Sequence, residues 1–152
     1  MKYQTDLQLI GYISKYGCFF MCMTYWLSWK KKGIELGYEF LNAIWTTAIN
    51  KGLISGDVNN DGDMDDANEA LILDKGRLLT LAGLDMSYIG QFAPEAVVKK
   101  PGVFFIGEFY NPATKFTHFA GLDDNLKCEY DPIKGGSITV KNGVLKSVRC
   151  FS

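Results

Sequence analysis

The sequence has almost no net charge, a single histidine and no long apolar run, and each shortage closes off a class of function. Its 16 Lys+Arg against 17 Asp+Glu give a formal charge of -1, whereas nucleic-acid binders ordinarily carry a basic excess on one face. No nucleic-acid partner is expected. The most apolar stretch, Cys18 to Trp29, covers 12 residues and is interrupted by Thr24 and Ser28. That is too short for a membrane span and suits a buried helix. Met1 to Gly17 mixes Lys2, Asp6 and Lys15 with polar residues and shows neither an apolar h-region nor a small-residue cleavage site. The expected location is therefore cytoplasmic. No internal repeat, linker or low-complexity tract divides the chain, so residues 1–152 are read as a single domain, expected to be monomeric.

What is present is enough to fold. At 47% hydrophobic and 14% aromatic the chain is far from the composition of disordered proteins, and a domain of this length buries roughly two-thirds of its unfolded surface. The four cysteines read as thiols in a chain without a secretory signal, with Cys128 and Cys150 the pair to expect if a bridge forms. The charge balance conceals a local excess. Asp57, Asp61, Asp63, Asp65, Asp66 and Glu69 fall within 13 residues that hold no Lys or Arg. Without those six acids the remaining body has 16 basic and 11 acidic residues, a net charge of +5.

The first third of the chain reads as helical and the last third as sheet. Gly17 to Lys32 is apolar around most of the helical wheel, as in a helix packed on several sides, and Lys30 to Lys32 followed by Gly33 supply its stop. The spacing of Phe40, Leu41, Ile44, Trp45 and Ala48 predicts a second helix over Tyr38–Asn50. A third is predicted over Ala67–Ala82, with Leu71, Ile72, Leu78, Leu79 and Leu81 on its apolar face. From Val103 the β-branched and aromatic segments VFFIGEFY, FTHFAGL, LKCEYDP, SITV and VLKSVRCF read as strands, and Asn142-Gly143 signals a hairpin between the last two. Helices first and a mostly antiparallel sheet after predict an α+β fold.

Asp57-Val-Asn59-Asn-Asp61-Gly62-Asp63 follows the calcium-loop pattern D-x-[DN]-x-[DN]-G. Side-chain oxygens of Asp57, Asn59 and Asp61, a backbone carbonyl at Asp63 and a further ligand beyond them suit a hard cation, and Gly62 permits the sharp turn. Met64 is apolar where such a loop pins itself to a core. The closing position, normally a bidentate Glu, is Asn68, and Glu69 comes one residue late. The loop resembles the dockerin type as much as a sensor EF-hand, and Asn68 departs from both. The predicted ligand set for Ca2+ is Asp57, Asn59, Asp61, Asp63 and Asn68, in an insertion spanning 57–69. The plainer reading is an Asx-rich turn capping the third helix.

Cys18 opens the buried helix directly after Gly17. There the positive end of the helix dipole favours a thiolate, and the Cys18 amide can donate to an oxyanion. The sole histidine, His118, lies in FTHFAGL. If Asp124-Asn125 centres the following hairpin, residues whose numbers sum to 249 oppose each other, which sets His118 opposite Asp131, within reach for a carboxylate to orient an imidazole. A thiol on an apolar helix also serves as plain core filler, and a histidine in a strand as a structural residue. Cys22, one turn on from Cys18, is the packing control and runner-up nucleophile. A zinc site from Cys18, Cys22, Cys128 and His118 fits no common spacing.

Tyr16-Gly17-Cys18 opening an apolar helix, the late Thr117-His118-Phe119 strand and Tyr130-Asp131-Pro132 together resemble the papain-like cysteine peptidase superfamily, in particular its bacteriocin-processing-peptidase-like branch. The stretch from Gln8 to Phe20 further resembles an uncharacterised papain-like family of bacteria and phages. The resemblance implies a papain-like fold with Cys18 as nucleophile, His118 as general base and acid, and Asp131 as the orienting group. The family's oxyanion glutamine stands about six residues before the cysteine, where this chain has Tyr12, and Gln8 is the nearest substitute. The expected function is a calcium-stabilised cysteine hydrolase acting on a peptide or on peptidoglycan, with a phage lysis enzyme reaching the wall through a holin as the analogy for a small basic hydrolase. The alternatives are a catalytically inactive papain-like binding module and a calcium-dependent interaction protein.

Overall fold

Gly17 is where the first helical turns of the chain change direction. Helix α1 (Gly11–Tyr16) ends there and α2 (Cys18–Met21) begins at the next residue. A side chain at Gly17 would run into the backbone and side chain of Ile13, so only glycine permits this close approach. The computed structural model describes residues 1–64 and 70–152. In it α2 passes into a π-helical turn (Cys22–Trp26) and then α3 (Leu27–Lys32), closed by Gly33 at φ +67°. From Phe20 to Ser28 every residue is buried, as the all-round apolar wheel predicts. The π turn adds a residue to the helical circuit, a feature that often marks functional helices.

Helix α4 (Tyr38–Asn50) has the predicted bounds and buries Leu41, Ile44, Trp45 and Ala48. The third predicted helix does not begin where expected. Its first residues, 67–69, lie outside the described part, Ala70 is left-handed at φ +52°, and residues 71–73 run extended against 53–55, with Ile72 bridging Ile54. Helix α5 (Lys75–Leu81) starts only after Asp74, whose carboxylate caps the Arg77 amide at 3.0 Å. Leu71 is consequently an exposed loop residue and not part of a helix face.

Five antiparallel strands form one sheet in the order β1-β5-β2-β3-β4: β1 (Tyr88–Phe92), β2 (Phe104–Asn111), β3 (Phe116–Leu122), β4 (Cys128–Tyr130) and β5 (Val144–Phe151). The architecture is α+β. Strand β1 was not expected from the sequence; it is an edge strand interrupted by a bulge at Ile89, which hides its alternation. The segment SITV is not a strand. Ser137 accepts from the Val140 amide and caps helix α6 (Ile138–Asn142), so Asn142-Gly143 ends a helix and makes no hairpin. The sheet separates two apolar layers. The larger holds the α2–α3 helix, α4 and α5, and the smaller lies around Phe105, Phe109, Leu122 and Val148. All four cysteines are free. Cys128 and Cys150 sit on β4 and β5, three strand spacings or about 14 Å apart, too far for a bridge. No helix among the described residues is long and apolar enough to cross a membrane.

Candidate active site

Strand β4 pairs only with Gly121 and Leu122 of β3, which leaves His118 on an unpaired edge of that strand. Gly121 opposes Tyr130 and Leu122 opposes Cys128, with a bulge between them. The register sums are thus 251 and 250, not the predicted 249, because the turn contains an extra residue in a left-handed conformation, Leu126 at φ +60°. Asp131 therefore lies beyond the end of β4 and is not cross-strand from His118. The two side chains nevertheless meet, with His118 Nε2 2.7 Å from Asp131 Oδ1 and both side chains about nine-tenths buried.

Asp131 is held by more than the imidazole. Its Oδ1 accepts from the Ile133 amide at 2.9 Å and its Oδ2 from the Ser137 amide at 2.7 Å. Burial pushes this carboxyl up, but His118 and the two amides outweigh it and hold the acid below its ordinary range. For His118, burial is the largest single influence and pulls the imidazole down. The Asp131 carboxylate and the adjoining Cys18 thiol more than reverse it, and the group is raised to about 9. With Nε2 committed to Asp131, Nδ1 is the nitrogen left to exchange a proton with the thiol.

Cys18 is half-buried and Cys22 fully buried. Desolvation, reinforced by the neighbouring Cys18 thiol, pushes the Cys22 thiol well above its ordinary range, which makes it inert packing. Cys18 instead lines a cavity of about 320 Å³ with Tyr16, Phe19, the 70–73 segment, Lys75, Gln91, Phe119 and Arg149. Phe19 stacks on Phe119 at 4.4 Å between ring centroids and carries one wall of this cavity. The cavity was not legible in the sequence, since its residues come from five separate stretches of chain. Gln8 does not line it. Gln8 is exposed in the turn before α1, where its carbonyl accepts from Asn42 at 2.9 Å, because the turn faces α4 and not Cys18.

The acidic loop has the conformation its glycine predicts. Gly62 (φ +86°) and Asn60 (φ +57°) are left-handed, and Asp57 accepts from the amides of Asp61 and Gly62 at 3.1 and 2.7 Å. Met64 is buried, anchoring the loop. The Asp63 carboxylate is turned to Lys15 at 2.8 Å and to the Tyr16 hydroxyl. Lys15 is the foremost reason that Asp63 titrates near 2. Only its carbonyl is left for the metal, and that carbonyl is the group the loop pattern asks of this position. Asn68 lies outside the described residues. Among the described residues no three His, Cys, Asp or Glu side chains converge on a common point, which also leaves the zinc arrangement without a site. The donor chemistry of Asp57, Asn59, Asp61 and the Asp63 carbonyl still suits a hard cation.

A family model described as "Protein of unknown function, DUF261" matches residues 1–152, and the chain belongs to that family. No curated protein and no solved structure matches.

Proposed function

We propose that this protein is a papain-like cysteine hydrolase that cleaves amide bonds in a peptide or in peptidoglycan. The observation that carries the reading is one line of groups: a half-buried thiol at a helix start, the only imidazole beside it, and a buried carboxylate 2.7 Å from the far ring nitrogen. This is the arrangement an activated nucleophile requires.

In the proposed cycle the Cys18 thiolate attacks the amide carbon, and a C–S bond forms as the carbonyl π pair moves to oxygen. The Cys18 amide, a first-turn donor with no acceptor inside its helix, faces that charge. His118 donates its Nδ1 proton to the leaving amine, the C–N bond breaks, and an acyl-thioester remains. Water then gives a proton to His118 and attacks the thioester, the C–S bond breaks, and the acid departs. Asp131 keeps Nε2 protonated and the ring oriented throughout. Calcium, when bound by Asp57, Asn59, Asp61 and the Asp63 carbonyl, supplies positive charge to a loop that otherwise repels itself. Because Lys15 and Tyr16 tie that loop to α1, its order bears on the residues just before Cys18.

Iodoacetamide near pH 6 tests the reading. Selective alkylation of Cys18 over Cys22, lost in His118→Ala, is expected, while slow and equal reaction of all the cysteines would refute it. The substrate is decided by mass spectrometry of purified peptidoglycan and of casein treated with the protein, with Cys18→Ala as the blank.

A further inference from the structure

Several lysines meet a carboxylate, Lys15 with Asp63, Lys30 with Glu129 and Lys2 with Glu35, and Lys31, Lys32 and Lys141 each donate to a backbone carbonyl. Lys75 differs. It is half-buried in the wall of the Cys18 cavity, its ammonium 4.9 Å from the Tyr88 ring centroid and 6.0 Å from that of Phe19, and among the described residues no carboxylate pairs with it. The other cation of the wall, Arg149, lies 4.8 Å from the Phe119 ring centroid. It is already neutralised by Glu108 at 2.7 Å and held by Ser147 at 2.6 Å. No acid lines the cavity among the described residues. Among the described residues its uncompensated positive charge is therefore that of Lys75, an ammonium partly stripped of water that faces two aromatic rings. Burial, with Arg149 adding to it, lowers the pKa of Lys75, which is the signature of a cation lacking its anion.

We propose that this cavity is a carboxylate subsite, in which Lys75 receives an acidic group of the substrate lying a residue or two from the scissile amide. The proposal rests on Cys18 being the nucleophile, as proposed above. Phe19 adjoins Cys18 in the chain and links it to Lys75. It stacks on Phe119 to form the apolar wall and lies under the Lys75 ammonium. An extended peptide whose carbonyl sits at the Cys18 sulfur thus has its neighbouring side chain or its terminus directed along that wall toward Lys75. A carboxylate placed there gains a charge-assisted contact with a cation that has no competing carboxylate among the described residues, whereas an ammonium placed there meets a like charge. The subsite selects for acidic peptides and against basic ones.

The test uses two small alkylating agents that differ in charge. Iodoacetate and iodoacetamide deliver nearly the same group to a thiol, and the ratio of their rates at Cys18, followed by peptide mapping at pH 8, reads the field in the cavity. A single poorly solvated charge at a groove changes the rate for a charged reagent by about tenfold. The iodoacetate to iodoacetamide ratio should fall by that factor in Lys75→Met and be retained in Lys75→Arg. An unchanged ratio in Lys75→Met overturns the subsite, and so does a loss in Lys75→Arg equal to that in Lys75→Met. Protection of Cys18 then separates the two sources of a carboxylate. N-acetyl-Ala-Glu-Ala-amide against its Gln analogue reports a side-chain acid, and N-acetyl-trialanine as acid against amide reports a chain terminus. The hydrolase reading fails separately, through an absolute iodoacetamide rate near pH 6 that does not depend on His118.

Discussion

Replacing Asp131 by Asn removes one charge from the buried pair and leaves its shape, which makes the electrostatic part of the site measurable. His118 is raised to about 9 from the 6.5 of a free imidazole. At about 1.4 kcal/mol per pK unit the imidazolium contributes roughly 3 kcal/mol to folding. The folded value stands above the unfolded one, so this stability is complete below pH 6.5 and is lost as pH rises through about 9. Asp131, held low, contributes above its ordinary carboxylate range and loses that contribution as pH falls through its folded value. Asparagine keeps one acceptor where the carboxylate has two. If its oxygen stays toward His118 and Ile133, its amide nitrogen faces the Ser137 amide, donor against donor. Together these effects predict a loss of about 2–4 kcal/mol at pH 7. Because His118 is the only histidine, its Cε1 proton gives a single titrating NMR signal. The expected midpoint is near 9 in the wild type and about 7 or lower in Asp131→Asn, where burial persists without its counter-charge. Urea unfolding should show wild-type stability falling between pH 6.5 and 9.5 and a flatter profile in the variant. A wild-type midpoint below 7, or one that Asp131→Asn leaves in place, refutes the argument.

Gly121→Ala should destabilise the protein by about 1–3 kcal/mol, since its new methyl would enter the indole of the fully buried Trp26. An unchanged denaturant midpoint would mean that the helix carrying Cys18 does not lie on β3 as described. Cys22→Ala should lower stability by about 1–2 kcal/mol through the small cavity it leaves, while alkylation of Cys18 persists; loss of that alkylation would move the nucleophile to Cys22. Calcium at a hundred times its dissociation constant should stabilise the protein by about 2.7 kcal/mol, seen as a rise in melting temperature that EDTA reverses. The double variant Asp57→Asn/Asp61→Asn should not respond, and a wild type indifferent to both calcium and EDTA would eliminate the metal.

Local rules carried the sequence as far as local physics decides structure. Helix α4 has its predicted bounds because one face supplies Leu41, Ile44, Trp45 and Ala48 at regular spacing. The helix at Cys18 was legible because almost every residue in it is apolar. The segment 71–73 reads as helical by its leucines but runs extended, because the amides and carbonyls of 53–55 offer it partners from another part of the chain. The SITV segment has β-branched residues, yet Ser137 caps a helical turn there. In both places a hydrogen bond invisible to propensity decided the outcome. The site divides the same way. Cys18, His118 and Asp131 were each identifiable by residue type and position, whereas the register that joins the last two differed by one or two residues. Lys75 and Gln91 carried no local signal, since what distinguishes them is the cavity they face.

What braces the proposed triad is a set of hydrogen bonds to the backbone spread over the chain. The Gln4 amide donates to the Pro132 carbonyl at 2.9 Å and its side-chain nitrogen to the Ser14 carbonyl at 2.9 Å. One buried residue thus ties the segment after Asp131 to the helix before Cys18. The Tyr130 hydroxyl donates to the Lys2 carbonyl at 2.9 Å, and the Lys2 amide donates to the Tyr25 hydroxyl at 2.8 Å, which binds the end of β4 to the π turn. Thiol and carboxylate come from segments more than a hundred residues apart, and residues 2–4 bridge them through four hydrogen bonds. None of these four contacts depends on a charged side chain, so the brace between the segments that carry Cys18 and Asp131 does not titrate with His118 and Asp131. The backbone can therefore keep the two segments together while the His118–Asp131 pair changes protonation state, which is what the proposed nucleophile and base require.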